Sequence, residues 1–417
     1  MRYIADLHIH SKYSRATSKQ MDVANLDLWA KKKGIDLIAT GDFTHPKYLA
    51  ELKNDLKSEG NGFFVKKENS FGTKFILSTE ISCIYKDKDK TRRVHVLIYF
   101  PNLEDVEKLN ETLTKFGCNI KSDGRPIIGL SVKKLAQICF DIDERCVFVP
   151  AHAWTPWFAI FGSKSGYDSL EECFEELTPK IFAIETGLSS DPQMNWRLSK
   201  LDNISLISNS DAHSPLNLGR EANVFDLKDL TYDNLWQAVK DRDKKSFLYT
   251  IEFFPEEGKY HFDGHANCEF SCSPDEAKKK YHNLCPKCGK DLILGVDHRV
   301  FDLADREIGF KNENRVAFKS LVPLVEIIAE ANNKKKSSKI VLRKYAEMIK
   351  NDSEFSILLD LSITEIMKIS DERTAEGVRR VREGKLSVNP GYDGIYGVVK
   401  IFSEKEQIVW KEQQKLF

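Results

Sequence analysis

The chain has 417 residues, 41% hydrophobic and 30% charged, and its 63 Lys and Arg balance 63 Asp and Glu. That length gives room for two or three domains and a large core, while a net charge of zero points to no partner on electrostatic grounds. Nine cysteines are too few and too unevenly placed for a disulfide scaffold, no apolar stretch reaches the length of a membrane span, and no signal peptide is expected before the first strand, so the expectation is a cytoplasmic protein with no membrane partner.

In chain order, Ile4-Ala5-Asp6-Leu7-His8-Ile9-His10 reads as a first strand closed by a histidine pair. Alternation along a strand puts His8 and His10 on one face, about 7 Å apart, able to hold one metal. Residues 23–33 are amphipathic and stop at Gly34, and 35–40 is a buried strand. Strands follow at 75–83 and 94–100, then helices at 103–116, stopped by Gly117, and at 132–141. Strand 146–150, helix 170–177, strand 181–185, a short helix over 195–201 and strand 205–209 continue the alternation. Repeated strand–helix units predict a mainly parallel sheet, closed or nearly closed into a barrel, over residues 1–252. Cys83, Cys118, Cys139, Cys146 and Cys173 fall in apolar segments and read as small core residues.

Chemistry-bearing residues collect at the ends of these strands. After His8 and His10 come Asp42, Glu80, His152, Asp211 and His213, with His95 inside its own strand. A single His or Asp beside a strand usually serves structure. Eight residues restricted to His, Asp and Glu, nearly all at strand ends, point instead to a multinuclear metal site that activates water.

The pattern changes after Phe253-Phe254-Pro255. Cys268-x3-Cys272 and Cys285-x2-Cys288 are two close pairs separated by twelve residues, which suits one structural Zn²⁺ with four thiolate ligands in a module over 253–300. His265 and His282 are spare ligands should one cysteine be displaced. A zinc saturated by thiolates has no open position, so this module should position rather than react. From residue 301 the pattern is helical, clearest at 315–332 and 338–350 and continuing over 360–382. A Gly-rich stretch over 389–397 and a strand at 398–402 follow in this C-terminal domain, 301–417. Residues 311–350 carry ten Lys or Arg against four Glu, a surface that could face phosphates or only solvent.

The spread Asp6-Leu7-His8-Ile9-His10, Gly41-Asp42, Glu80, His95, His152 and Ser210-Asp211-Ala212-His213 resembles the PHP (polymerase and histidinol phosphatase) family. That resemblance covers roughly residues 1–250. It implies an α/β fold with a distorted (β/α)7 barrel and two or three divalent metal ions, Zn, Mn or Mg, in a phosphoesterase centre. Its ligand positions match His8, His10, Glu80, His95, His152, Asp211 and His213. Asp42 stands where a His is usual, which would favour harder ions. The barrel followed by Gly258-Lys259-Tyr260-His261-x3-His265, the cysteine pairs, Leu303-Ala304-Asp305-Arg306 and the stretch from Glu185 to Arg197 resembles the endonuclease Q family over nearly the full length.

That resemblance implies a DNA repair nuclease cutting on the 5′ side of uracil, hypoxanthine, xanthine or an abasic site, with the damaged nucleotide flipped out of the duplex. Asp211, His213 and His152 would then be catalytic, the last two as candidates to hold the phosphate or protonate the leaving oxygen. Trp154 and Trp157 offer stacking faces, or only cap the barrel core. Ser163 and Lys164 suit a phosphate or base edge, and Arg197 and Arg220 are further phosphate candidates. A small-molecule PHP phosphatase of the histidinol-phosphatase kind would need the same metals but has no use for the zinc module and tail. A non-catalytic DNA-binding adaptor would have lost several ligands.

Overall fold

A computed structural model describes residues 1–407; residues 408–417, the end of the C-terminal domain expected over 301–417, lie outside the described residues. Strand β1 (Arg2–Asp6) runs parallel to β2 (Leu37–Ala39), and β2 runs parallel to β3 (Lys74–Asp87). Strand β3 then turns at Lys88 into β4 (Lys90–Phe100), and the two pair antiparallel from Leu77–Phe100 to Asp87–Lys90. A two-residue link can only return antiparallel, since a parallel partner needs a crossover of about a dozen residues. Strand β5 (Val147–Pro150) is antiparallel to β4, whereas β6 (Ala183–Glu185) and β7 (Ser205–Ile207) are a parallel pair. On its other side β1 is antiparallel to β8 (Ala222–Asp226), which is antiparallel to β9 (Phe247–Glu252). The architecture is mixed α/β, and the expectation of a mainly parallel sheet fails at the β3–β4–β5 run and at β8–β9.

Past their last residues, β1 and β7 draw together. Ile9 and Ala212 form a parallel bridge, His10 N–H donates to the Ala212 carbonyl at 3.0 Å, and Leu7 N–H donates to Asn209 Oδ1 at 2.9 Å. The curved sheet so formed encloses buried aliphatic and aromatic side chains, among them Leu7, Leu37, Phe75, Ile98 and Val224. Strand ends carrying His, Asp and Glu open from this core.

The helix expected over 23–33 is present as Val23–Lys33, capped by Asp22, whose carboxylate accepts from Asn25 N–H. It ends at Gly34 (φ 83°), where a side-chain carbon would lie 2.3 Å from Ser353 Oγ, so both the left-handed turn and the contact require glycine. Helix Pro46–Asp55, without a clear sequence signature, fills the link before β3.

The expected helix over 315–332 is instead a strand, Ala317–Ser320, parallel to β9, and a shorter helix, Leu324–Ala331. Pro323 divides them, because the residue before proline is pushed out of the helical region. Helices Lys339–Met348 and Glu372–Arg382 pack on Leu324–Ala331, Ile363–Ile369 packs on Glu372–Arg382, and Val398–Lys400 pairs with Ser387–Asn389. One apolar cluster runs from the main sheet into Leu324, Ile327, Val341, Val378 and Phe402. Lys33 and Glu354 tie the halves together as a buried ion pair at 2.6 Å. No helix among the described residues is long and apolar enough to cross a membrane.

Candidate metal centre

His8 and His10 aim their Nε2 atoms into one space. His10 Nε2 lies 3.0 Å from Glu80 Oε2 and 3.1 Å from Asp211 Oδ1, and His8 Nε2 lies 3.6 and 3.7 Å from the same two atoms. The other oxygen of Glu80 faces a second pair, with Oε1 2.7 Å from His95 Nδ1 and 3.0 Å from His152 Nε2. Two donor groups result, His8/His10/Asp211 and Glu80/His95/His152, with the Glu80 carboxylate between them. His8 Nε2, His10 Nε2 and Asp211 Oδ1 are buried without a hydrogen-bond partner. Orphaned polar atoms in an interior are costly unless a cation uses them. Imidazole and carboxylate donors suit Zn²⁺ and Mn²⁺, so the residues fit a pair of divalent ions.

The far nitrogens of both histidines are held by carboxylates. His8 Nδ1 is 3.0 and 3.1 Å from the two oxygens of Glu185, which also accept from Asn209 Nδ2 and His152 N–H at 2.8 Å each. His10 Nδ1 is 3.1 Å from Asp42 Oδ1. Burial opposes charge on these rings, yet Glu185 and Asp211 hold the pKa of His8 well above the ordinary histidine value, and Asp42 does the same for His10. His95 goes the other way, pushed down to about 4 by burial despite Glu80.

Asp42 was expected as a ligand and is not in either donor group. Gly41 (φ 66°) and Asp42 (φ 46°) turn the chain so sharply that a side-chain carbon on Gly41 would lie 2.4 Å from the Ile9 carbonyl. The Asp42 carboxylate then faces Ser11 N–H and Oγ, both at 2.6 Å, and Ser14 Oγ at 2.9 Å, so it orients His10 instead of binding metal. The inference of harder ions from Asp42 goes with it. His213 also stands outside both groups. Its ring lies 4.5 Å from that of His10, Nδ1–H donates to the Asp211 carbonyl at 2.9 Å, and its side chain is partly exposed.

Glu185 and Arg125 were missed as site residues. Glu185 closes strand β6, the same position that marked the ligand candidates, so that signal was present. Arg125, whose guanidinium lies 3.1 Å from Glu80 Oε2, had no signal; it is set by Gly124, where a side-chain carbon would lie 2.4 Å from Asp42 Oδ2.

The loop after His152 divides the aromatic candidates. Trp154 is fully buried and donates Nε1–H to Asn195 Oδ1 at 2.8 Å, so it caps the core and offers no stacking face. Phe158 packs on His95 with ring centres 4.8 Å apart, and its neighbour Trp157 is 43% exposed, edge-on to Tyr260 at 6.2 Å. Ser163 and Lys164 are exposed in this loop. Arg197 is buried over Phe301 and 3.5 Å from Asp297, a structural position that removes it from the phosphate candidates. Arg220 donates Nε–H to the Ser210 carbonyl at 2.8 Å and an amino group to that of Asp211 at 3.4 Å. In the basic stretch, Arg315 is buried against the carbonyls of Leu201 and Ile204 and Lys336 pairs with Glu326.

In the cysteine module the donor atoms that converge are His265, Cys268, Cys285 and Cys288. Cys272, expected as a ligand, is not in this donor group. It ends strand Phe270–Cys272, which pairs with Asp263–His265, and it belongs to a small apolar cluster with Ala277, Cys285 and Leu292. His265 Nδ1, 3.6 Å from Cys288 Sγ, takes its place. Three thiolates and an imidazole remain a fitting tetrahedral zinc set.

The MJ0043 C-terminal domain family matches residues 323–385. The crystal structure of the lesion-specific endonuclease PfuEndoQ from Pyrococcus furiosus is similar over 97% of this chain and 96% of its own, with a TM-score of 0.85 and 34% identity. A structure of endonuclease Q in complex with a 27-mer duplex substrate, with an abasic lesion at the active site, gives a TM-score of 0.83 and 35% identity over 97% of this chain and 98% of that one. The uncharacterized protein MJ0043 of Methanocaldococcus jannaschii is 32% identical over 268 residues, 63% of this chain, so the chain spans 33% of that relative's length.

Proposed function

This chain belongs to the endonuclease Q family of metal-dependent endonucleases, and from that premise we propose that it repairs DNA by hydrolysing the phosphodiester on the 5′ side of uracil, hypoxanthine, xanthine or an abasic site. The observation that carries the reading is the Glu80 carboxylate, one oxygen toward His8 and His10 and the other toward His95 and His152. A carboxylate so placed, with orphaned imidazole nitrogens beside it, suits two metals held a few ångströms apart. His8, His10 and Asp211 would hold one ion, His95 and His152 the other, and Glu80 both. Such ions supply acidified water and neutralise charge on a phosphoryl group.

The chain's own residues do the rest. Glu185 and Asp42 fix the tautomer of His8 and His10, keeping each Nε2 as a lone-pair donor. His213, outside the donor groups and partly exposed, spends Nδ1–H on the Asp211 carbonyl and leaves Nε2 to carry a proton to the leaving O3′ or hold the phosphate. Trp157, Ser163 and Lys164 stand on the loop that follows His152, where a nucleotide turned out of the stack would meet them. The zinc module and C-terminal helices flank the duplex as a clamp. The parallel runs β1–β2–β3 and β6–β7 and the Ile9–Ala212 bridge support a distorted (β/α)7 barrel for residues 1–252.

The test uses labelled duplexes with one uracil, hypoxanthine, abasic site or thymine, each with Mn²⁺, Mg²⁺, Zn²⁺ or EDTA. A metal-dependent nick directly 5′ of the lesions, absent at thymine and in Asp211→Ala, is expected. Rapid release of phosphate from small monoesters without nicking would instead identify a metal phosphatase.

A further inference from the structure

Arg299 belongs to the cysteine module yet spends its side chain outside it. It stands on helix Val296–Leu303, and its guanidinium donates to the Phe161 carbonyl at 3.0 Å, the Tyr167 carbonyl at 3.1 Å and the Asp168 carboxylate at 2.6 Å. All three acceptors lie in, or directly after, the loop that follows His152. A planar fork of donors reaches several acceptors at fixed angles, which an ammonium does not. The loop closes on itself: Tyr167 N–H donates to the Ile160 carbonyl at 2.6 Å, and a side-chain carbon on Gly166 would lie 2.5 Å from the Gly162 nitrogen. A grip at Phe161 and Tyr167 therefore holds the loop as one piece.

The same loop orients the second donor group, Glu80/His95/His152. His152 Nδ1 lies 3.2 Å from Thr155 Oγ1, and that hydroxyl gives its own proton to the Trp157 carbonyl at 2.9 Å. Thr155 then accepts Nδ1–H and leaves Nε2 of His152 as the lone-pair donor beside Glu80. Thr155 does for His152 what Glu185 and Asp42 do for His8 and His10. The backbone N–H of His95 donates to the Phe158 carbonyl at 2.9 Å, and the Phe158 ring packs on its imidazole. His8 and His10 take their outer partners from other segments, so the loop favours one donor group over the other.

Helix Val296–Leu303 is tied in turn to the zinc donors. Asp263 accepts from the N–H of Gly295, just before the helix, at 2.7 Å, and its other oxygen lies 2.5 Å from His298 Nδ1. Asp263 opens the strand Asp263–His265, and His265 is the imidazole of the converging cysteine–histidine set. We infer that the zinc module, besides flanking the duplex, positions the second ion of the metal centre through Arg299 and the loop after His152. Arg299 is a positioning residue, acting by way of Thr155 and Phe158. The inference rests on the two-ion reading of the metal centre and adds the part that the zinc module plays in it. Outer partners of a ligating histidine fix its ring and its tautomer, which is the step at which Arg299 enters.

The experiment titrates the full, zinc-loaded chain with Mn²⁺ and measures bound ions directly, without DNA. The parent is expected to bind two. In Arg299→Ala one of them is expected to weaken by about 10–100-fold while the other, and the zinc content, stay as in the parent. Thr155→Val is expected to weaken the same ion, and the double variant to add little, because both changes act on one histidine. His265→Ala, lacking its zinc, is expected to weaken that ion as well. Both ions held as in the parent by Arg299→Ala, both weakened alike, or full additivity with Thr155→Val overturns the inference. So does a His265→Ala protein that loses zinc and keeps both ions. Arg299→Lys keeps the charge and part of the grip, and decides should Arg299→Ala not fold: a smaller loss confined to one ion supports the role, and no loss overturns it. A parent that binds fewer than two Mn²⁺ overturns the two-ion reading and the inference with it.

Discussion

Asp42 Oδ1 lies 3.1 Å from His10 Nδ1, while the opposite nitrogen of that ring faces Glu80 and Asp211. A carboxylate there accepts the Nδ1 proton and leaves Nε2 as the only nitrogen free to bind an ion. Outer partners of this kind are worth about 10–100-fold in metal affinity or activity. Asp42→Asn is therefore expected to lower metal affinity within that range, with nicking recovered at higher metal concentration, whereas Asp211→Ala stays inactive at any concentration. Metal titrations followed by nicking rates check this, and an Asp42→Asn protein beyond metal rescue would return Asp42 to the ligands. Because His8 and His10 hold protons above the ordinary histidine range, ions must displace them, so metal uptake releases protons and tightens as pH rises.

The zinc module makes a separable prediction. Cys272→Ala is expected to keep close to one zinc per chain, since Cys272 stands outside the converging donor group, while His265→Ala and Cys285→Ala lose it. Metal content of the purified proteins reads this directly. Zinc lost in Cys272→Ala and kept in His265→Ala would restore a four-cysteine set.

What was legible in the sequence follows from what sequence patterns encode. The candidates His8, His10, Glu80, His152 and Asp211 are ones that converge in the structure, because hydrophobic runs mark strands and strand ends face one side of the sheet; His95 joins them from inside its strand. Asp42 and Cys272 stand beside these donor groups and not in them. For Asp42 the left-handed Gly41–Asp42 step turns the carboxylate toward Ser11 and Ser14, and Cys272 is held at the end of strand Phe270–Cys272. Spacing alone does not carry that direction. Arg125 was invisible because its place depends on Gly124 fitting against Asp42 and Ser14, a contact between segments about eighty and a hundred residues apart. The strand Ala317–Ser320 was read as helix since its sheet partner β9 lies far back in the chain.

Lys33 and Glu354 set the coupling between the main sheet and the C-terminal helices. Lys33 Nζ is 2.6 Å from Glu354 Oε2, and both side chains are at least 95% buried. Glu354 also accepts from the Tyr345 hydroxyl at 2.5 Å and from Leu324 N–H at 3.0 Å. Removing one member of such a pair leaves a buried charge unpaired, which costs about 3–5 kcal/mol. Glu354→Ala is expected to lose that much in denaturant unfolding, and the double variant Lys33→Met/Glu354→Leu, which leaves no charge unpaired, distinctly less. Equal losses would place the energy in packing and not in the ion pair.

A groove of about 1010 Å³ lies on the other flank of the metal loop, lined by Trp29, Lys31, Lys32, Ser214 and Lys350. Ser18, also in its wall, donates N–H to the His213 carbonyl at 2.8 Å, so the groove opens beside the residue proposed to face the scissile phosphate. Lys32 lies over the Trp29 ring at 4.7 Å, which holds its ammonium at the groove instead of letting it swing free. Unlike Lys33, neither Lys31 nor Lys32 has an ion-pair partner among the described residues. Phosphates seated here would release bound counterions, with a slope of log affinity against log salt of roughly −0.9 per contact. Lys31→Gln, Lys32→Gln and Lys350→Gln together are expected to flatten that slope by about two to three contacts. Uracil and abasic duplexes should weaken equally, because phosphate contacts carry no base information. A slope unchanged in the triple variant would move the duplex to another face and leave the groove a gap between the sheet and the C-terminal helices.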